Sequence, residues 1–135
     1  MYLTSAIRTL DGRRHEMVGI IPGETEMRER LVALGYVEVE TQDATLLGGP
    51  GLRLRGHQFR YSELGPFSAP ALHAYTIRKR RGGETSREGF VMAAGQVLAT
   101  YVHAHFASNP RVAAGFVTAC AAFCAKNREG AAPCR

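Results

Sequence analysis

The sequence has no long apolar run and few cysteines, and each shortage excludes a class of protein. No hydrophobic stretch among the 135 residues approaches the roughly 18 residues that a membrane-spanning helix needs, which excludes a transmembrane protein. The first residues lack a charged segment followed by an apolar one, so nothing marks the chain for secretion. The three cysteines are an odd number and all lie in the last sixteen positions. This usage argues against a disulfide framework and favours a reducing, cytoplasmic compartment.

The length and composition are those of one globular domain. A chain with 45% hydrophobic and 21% charged residues can bury a core, so wholesale disorder is excluded. We expect one domain over residues 1–130 and a frayed tail over residues 131–135.

A net charge of +5 raises the question of a nucleic-acid partner. Most of the arginines are scattered, and the one cluster, Arg78-Lys79-Arg80-Arg81, is followed by Gly82-Gly83 as at the tip of a hairpin. Aromatic residues do not alternate with these arginines as single-strand binding requires. We therefore predict no nucleic-acid partner, and a basic binding module using this cluster stays as an alternative.

The first half of the chain predicts one helix and two strands. Apolar residues at helical spacing predict a helix over Met1–Leu10, although no residue caps its start. A short apolar run predicts a strand over Met17–Ile21, and strict alternation predicts another over Tyr36–Glu40. Residues 27–34 fit a helix and a strand equally.

The second half predicts strands followed by a helix. Leu52–Arg55 opens one strand, Leu72–Arg78 and Glu88–Ala93 form a hairpin, and Val97–Val102 is typical of a strand buried on both faces. Asn109 with Pro110 after it is a helix start. The helix ends near Gly130, and its apolar stripe consists of Val112, Phe116, Val117, Cys120, Phe123 and Cys124.

Two histidines at the end of a buried strand are the first candidates for chemistry. His103 and His105 are two residues apart, so on an extended chain they face the same way. Two imidazoles on the same side can bind a divalent metal, but such a site needs three or four ligands and no other histidine has the spacing to supply them. A metal site therefore stays as the least favoured interpretation, behind a structural histidine and a general base for a nucleophile.

Two other motifs are assigned structural roles. Cys120 and Cys124 share the apolar stripe of the last helix, so we expect them to be small buried hydrophobic residues without reactivity. The loop Gly48–Gly51 has no Lys-Ser/Thr after it and is not a phosphate-binding Walker loop.

Several segments together resemble one family. They are "MVGIIPGETEMRERLVALGYVEVE" from residue 17, "LRGHQFRYSEL" from residue 54 and "REGFVMAAGQVLATYVHAHFASNP" from residue 87. With the closing helix they resemble the C-terminal glutamine amidotransferase domain of the cobyrinate or hydrogenobyrinate a,c-diamide synthases. The resemblance runs from Met1 to about Cys124.

The resemblance implies a fold and a reaction. The fold is that of the class I glutamine amidotransferases, an open α/β sheet flanked by helices. A cysteine thiolate attacks the side-chain amide of L-glutamine with a histidine as its base. The resemblance places that base on His103 and makes His57, Gln58 and His105 candidates for the substrate pocket. Ammonia then passes to an N-terminal domain, which uses ATP and Mg²⁺ to amidate carboxylates a and c of a corrin.

The chain departs from the family at two places. Family members typically have Glu and His where this sequence has Gln58 and Arg60, which weakens the expectation of full glutaminase activity. The family's nucleophilic cysteine precedes a "MYL" helix start, and this sequence begins at Met1-Tyr2-Leu3. We therefore expect a domain that is incomplete at its N-terminus and inactive alone, because His103 has no thiol to deprotonate.

An incomplete sheet implies one further expectation. Exposed strand edges pair with other chains, so poor solubility or self-association with a second copy is expected.

A second hypothesis for the function of the chain is a non-catalytic subunit that docks on a separately encoded part of a synthase and completes its site.

Overall fold

The computed structural model describes residues 1–66, 73–80, 82–92 and 95–130. Leu72, Arg81, Ala93 and the tail 131–135 with Cys134 lie outside the described residues. The described strands are β1 Thr4–Arg8, β2 Arg14–Glu16, β3 Ile21–Met27, β4 Ala33–Thr41, β5 Arg53–Arg60, β6 Ser62–Leu64, β7 His73–Lys79, β8 Thr85–Met92, β9 Val97–Ala99 and β10 His103–His105. A 3-10 turn over Phe106–Ser108 leads into helix α1, Pro110–Gly130.

The described strands form two sheets. One has the order β2-β1-β3-β6, with β1 and β3 parallel, and the other has the order β10-β5-β4-β7-β8-β9 and is antiparallel. The inner face of the larger sheet carries the core, which α1 joins through Val112. Its buried residues are Val37, Val39, Leu47, Leu52, Leu54, Ala74, Tyr75, Ile77, Val102 and Val112. The α/β prediction is confirmed, with strands as the larger part of the described chain.

The predicted N-terminal helix is wrong, because this segment forms β1. Thr4 and Ala6 are fully buried, and Ile7 beside Ala6 is buried as well, so adjacent side chains on both faces of the strand are covered. The backbone of β1 pairs with β2 on one side and β3 on the other. A short apolar run fits helix and strand alike, and pairing with two neighbouring strands decided this one.

Two strand predictions had the wrong limits. Met17–Ile21 was expected as a strand, but β3 begins only at Ile21 and runs through Pro22-Gly23. Val97–Val102 was expected as one continuous strand, but β9 ends at Ala99 and β10 starts at His103. The strand over Tyr36–Glu40 is confirmed within β4, and the predicted hairpin is confirmed by the pairing of β7 with β8.

The predicted start of the last helix is confirmed, but most of the apolar stripe of this helix is not buried. The Asn109 side-chain oxygen accepts a hydrogen bond from the Arg111 amide at 3.1 Å, which caps the first turn. Val112 is fully buried, whereas Val117 is 65% exposed and Phe123 51%. Cys120 and Cys124 are exposed thiols, so the prediction that they are buried hydrophobic residues is wrong. Only the first turns of α1 reach the core, and periodicity alone could not set that limit.

Candidate active site

The pairing of β10 with β5 brings the two histidine motifs together. His103 lies directly opposite His57, and their ring centroids are 6.4 Å apart. On the other flank of β5, Tyr36 of β4 is opposite His57 and contacts it edge-on, with centroids 5.3 Å apart. A row of rings, His103–His57–Tyr36, therefore crosses three neighbouring strands on the outer face of the larger sheet. We call it the histidine row.

His105 lies one step further along the same face. It is opposite Arg55, and both His103 and His105 are exposed while Ala104 between them packs against the core. The prediction that the two histidines face the same way is confirmed. Both imidazoles are accessible from outside, which a general base requires.

Gly56 permits the close approach of β10 to β5. A Cβ on this glycine would overlap Val102 Cγ1 and would lie 3.0 Å from the His103 carbonyl oxygen. Val102 is buried against this point. The absence of a side chain at Gly56 therefore sets the distance between the two strands that carry His57 and His103.

Gln58 lies on the inner face of β5, next to the histidine row. Its side chain is buried, and its Nε2 has no hydrogen-bond partner among the described residues. Gln58, His57 and Tyr36 contribute to a surface depression of about 710 Å³ that Lys79 and Arg80 border on the opposite side. The structure thus brings His103 and His57 together on the outer face, with His105 one step along it, whereas the Gln58 side chain lies on the inner face.

A buried carboxylate supports the turn before His103. Glu88 of β8 is 8% exposed, and it accepts hydrogen bonds from the Tyr101 amide at 2.7 Å and from the Thr100 hydroxyl at 2.8 Å. The Tyr75 hydroxyl also hydrogen-bonds to it. Burial raises the pKa of Glu88 above its ordinary value, because the charged form loses its hydration. Burial likewise raises the pKa of Tyr75.

The raised pKa of Glu88 makes folding stability depend on pH. Between the ordinary carboxyl pKa and the raised one, the folded state binds more protons than the unfolded state, so this stabilisation is full at lower pH and is lost as pH rises. We expect Glu88→Gln to remove this slope. The urea midpoints of the wild type and of Glu88→Gln are measured between pH 4.5 and 8. Their difference at each pH cancels the contribution of the histidines and leaves that of Glu88. Parallel curves would contradict the assignment.

Two absences concern the described residues alone. Within residues 1–66, 73–80, 82–92 and 95–130, no group of three or more His, Cys, Asp or Glu side chains could hold a metal ion. None of the helices in these ranges meets the length and hydrophobicity that a membrane span requires.

Comparison with known proteins decides the family. Residues 1–111 match the family described as the CobB/CobQ-like glutamine amidotransferase domain. The chain belongs to this amidotransferase family. The matched residues include the whole histidine row and Glu88.

Three curated relatives of this chain are each named cobyrinate a,c-diamide synthase. The relative in Leptospira interrogans is 46% identical over 121 residues, 89% of this chain and 26% of that protein. The relative in Salmonella typhimurium is 40% identical over 115 residues, 83% of this chain and 24% of that protein. The relative in Dehalococcoides mccartyi (strain ATCC BAA-2266 / KCTC 15142 / 195) is 38% identical over 119 residues, 87% of this chain and 25% of that protein. The chain therefore spans about a quarter of the length of these relatives.

Sequence reasoning missed Glu88 and Tyr36 at this candidate site. Glu88 was predicted as the first residue of an apolar strand, and an acidic residue beside Gly89-Phe90-Val91 was the available signal. Tyr36 begins the alternating stretch over residues 36–40, and nothing in its spacing pointed to His57. Only the register of β4 against β5 shows that the two rings meet.

Proposed function

We propose that this chain is part of the glutamine-hydrolysing half of a cobyrinate or hydrogenobyrinate a,c-diamide synthase. The observation that carries the proposal is the exposed His103 imidazole, set beside His57 and Tyr36 at the edge of the sheet. In this proposal His103 removes the proton from a cysteine thiol, and the thiolate attacks the side-chain amide of L-glutamine. The names of the relatives and the family match support this reaction.

The roles of the neighbouring residues follow from their positions. His57 contacts both Tyr36 and His103, so it orients the base and lines the glutamine pocket. Gln58 follows His57 in β5 and lines the same depression, while its side chain is buried on the inner face of the sheet. His105 lies beyond the row opposite Arg55, at the margin of the pocket.

The rest of the reaction is assigned to other parts of a synthase. ATP and Mg²⁺ do not fit the described residues, which hold no acidic cluster for a metal, and the sequence has no Walker lysine. In the proposal an ATP-binding domain activates the corrin carboxylates and receives the ammonia. A cytoplasmic location accords with the few cysteines.

We predict that the 135-residue chain alone releases no ammonia from glutamine. Cys120 and Cys124 are exposed on α1 and no cysteine precedes them, so the described residues carry no cysteine on the strands around His103. Purified chain and its His103→Ala variant are compared in a coupled ammonia assay, and both are expected to give the background rate. A clear rate that His103→Ala abolishes would overturn the prediction.

Exposed apolar side chains beside the histidine row favour a second candidate, a non-catalytic subunit that docks on another polypeptide. Leu34 and Tyr36 are each 66% exposed and Phe59 is 53% exposed, all on the outer face. In this version the partner supplies both the thiolate and its base, and this chain completes the site only by docking. The nucleic-acid alternative has less support, since Arg78 and Lys79 are ion-paired with Glu38 and Glu84.

Co-expression with the remainder of a synthase separates these candidates. Recovery of glutaminase activity that requires His103 supports the catalytic proposal. Stable association with activity unchanged in His103→Ala supports the non-catalytic subunit.

A further inference from the structure

Glu88 is a buried acidic residue to which the proposed chemistry gives no role. It lies on the inner face of β8, opposite Tyr75, and is more than nine-tenths buried. Burying a carboxylate is costly unless hydrogen bonds and charge compensate it. What it contacts therefore indicates why it is there.

Both carboxylate oxygens are used by one short turn. Oε1 accepts the hydrogen bond from the Tyr101 amide, and Oε2 accepts the one from the Thr100 hydroxyl. The same Thr100 oxygen accepts a hydrogen bond from the Val102 amide at 2.8 Å. Glu88 thus holds Thr100–Val102, directly or through one hydroxyl, and the next residue is His103.

Arg60 places a positive charge near Glu88 and also contacts the Thr100–Val102 turn. Its guanidinium carbon lies 4.5 Å from the centre of the Tyr101 ring, and its charge favours the ionised form of Glu88. Tyr101 is therefore fixed through its backbone by Glu88 and across its ring by Arg60. Two strands of the sheet, β8 and β5, hold the turn from different sides.

We propose that Glu88 is a positioning residue: its carboxylate fixes the Thr100–Val102 turn so that His103 lies opposite His57. Without this anchor the turn can relax, because the backbone of β10 pairs with β5 over only three residues. The placement of the His103 ring depends only on contacts within this chain, so it can be measured without the rest of a synthase. Its consequence for glutamine hydrolysis rests on the proposed function.

Nuclear magnetic resonance of the purified chain tests the placement. We expect a nuclear Overhauser effect between ring protons of His57 and His103 in the wild type, and we expect it to be lost in Glu88→Ala. The Tyr36–His57 contact, which lies between β4 and β5, should persist in that variant. Glu88→Gln should restore much of the lost contact, because an amide oxygen still accepts the Tyr101 hydrogen bond. The matched control is Glu84→Ala, an exposed acid on the same hairpin that pairs with Lys79.

A folded Glu88→Ala protein with the wild-type His57–His103 contact would overturn the proposal. If Glu88→Ala unfolds, Thr100→Val decides, since it removes one donor to the carboxylate and the acceptor for the Val102 amide at nearly constant volume. The His103 ring signals should then shift while those of Tyr36 do not. Unshifted His103 signals in Thr100→Val would also overturn the proposal.

An activity measurement then separates this proposal from the proposed function. In the chain combined with the rest of a synthase, Glu88→Ala should lower kcat for glutamine hydrolysis by on the order of 10²-fold, the cost of a base displaced by about 1 Å. KM should change little, and Glu88→Gln should recover part of the rate. If the His103 signals shift in Glu88→Ala while kcat is unchanged, Glu88 positions His103 but His103 is not the base.

Discussion

Replacing Gly56 by alanine is expected to separate the two histidines and to destabilise the fold. The new methyl group would overlap Val102 Cγ1 and would lie 3.0 Å from the His103 carbonyl oxygen. The second of these neighbours is backbone, which a side-chain rotation cannot move. Because Val102 belongs to the core, relief requires β10 to move away from β5. Overpacking of this kind costs about 1–3 kcal/mol of unfolding free energy.

Two measurements check the Gly56→Ala prediction. Urea denaturation followed by circular dichroism should give a lower midpoint, and the His57–His103 ring contact should disappear from the spectra. Gly49→Ala is the matched control, since a Cβ there meets nothing within 4 Å. A Gly56→Ala protein as stable as the control, with the ring contact intact, would show that the strands do not approach as described.

Gly115→Ala is expected to destabilise the protein although alanine is the better helix former. By helix propensity alone the change would stabilise α1 by about 0.5–1 kcal/mol. At this position, however, a Cβ would lie 2.7 Å from the carbonyl carbon of Leu47 and closer still to its oxygen. Leu47 is a buried core residue, so the helix would have to move off the loop. We expect a net loss of about 1 kcal/mol or more.

Helix propensity and packing predict opposite signs for the stability change in Gly115→Ala, so the measured sign distinguishes between them. Ala114→Gly, at the adjacent exposed position, should cost about 1 kcal/mol through propensity alone. Both substitutions are therefore expected to lower the urea midpoint, although they are opposite in chemistry. A midpoint raised by Gly115→Ala would mean that α1 does not pack on the Leu47 carbonyl.

The elements with a strong local signal were predictable from the sequence. Alternation over Tyr36–Glu40 and the hairpin around Gly82-Gly83 depend on neighbours in the chain, and both are strands in the structure. Asn109 and Pro110 start a helix through their own backbone and side-chain preferences. The prediction of a helix over the first ten residues was wrong, since a short apolar run has no local feature that separates a helix from a strand.

For the candidate site, the sequence proposed individual residues but not their arrangement. Motif resemblance selected His103, His57, Gln58 and His105. The match of residues 1–111 shows the family, but it does not test the roles of these residues. The sequence could not show that His57 contacts Tyr36, because 20 positions of chain lie between them and only the strand register joins them. It could not show Glu88 beneath the turn either, since hydrogen bonds to a buried carboxylate depend on which strands are adjacent.

The sequence by itself determined the family, the polarity of the sheet faces and the start of the last helix, because these depend on residue type and spacing along the chain. Tertiary structure alone decided that β10 pairs with β5, that Glu88 is buried under the turn and that most of the stripe on α1 is exposed. Pairing and burial are set by contacts between distant segments, where glycines such as Gly56 and Gly115 leave just enough room for a neighbouring backbone.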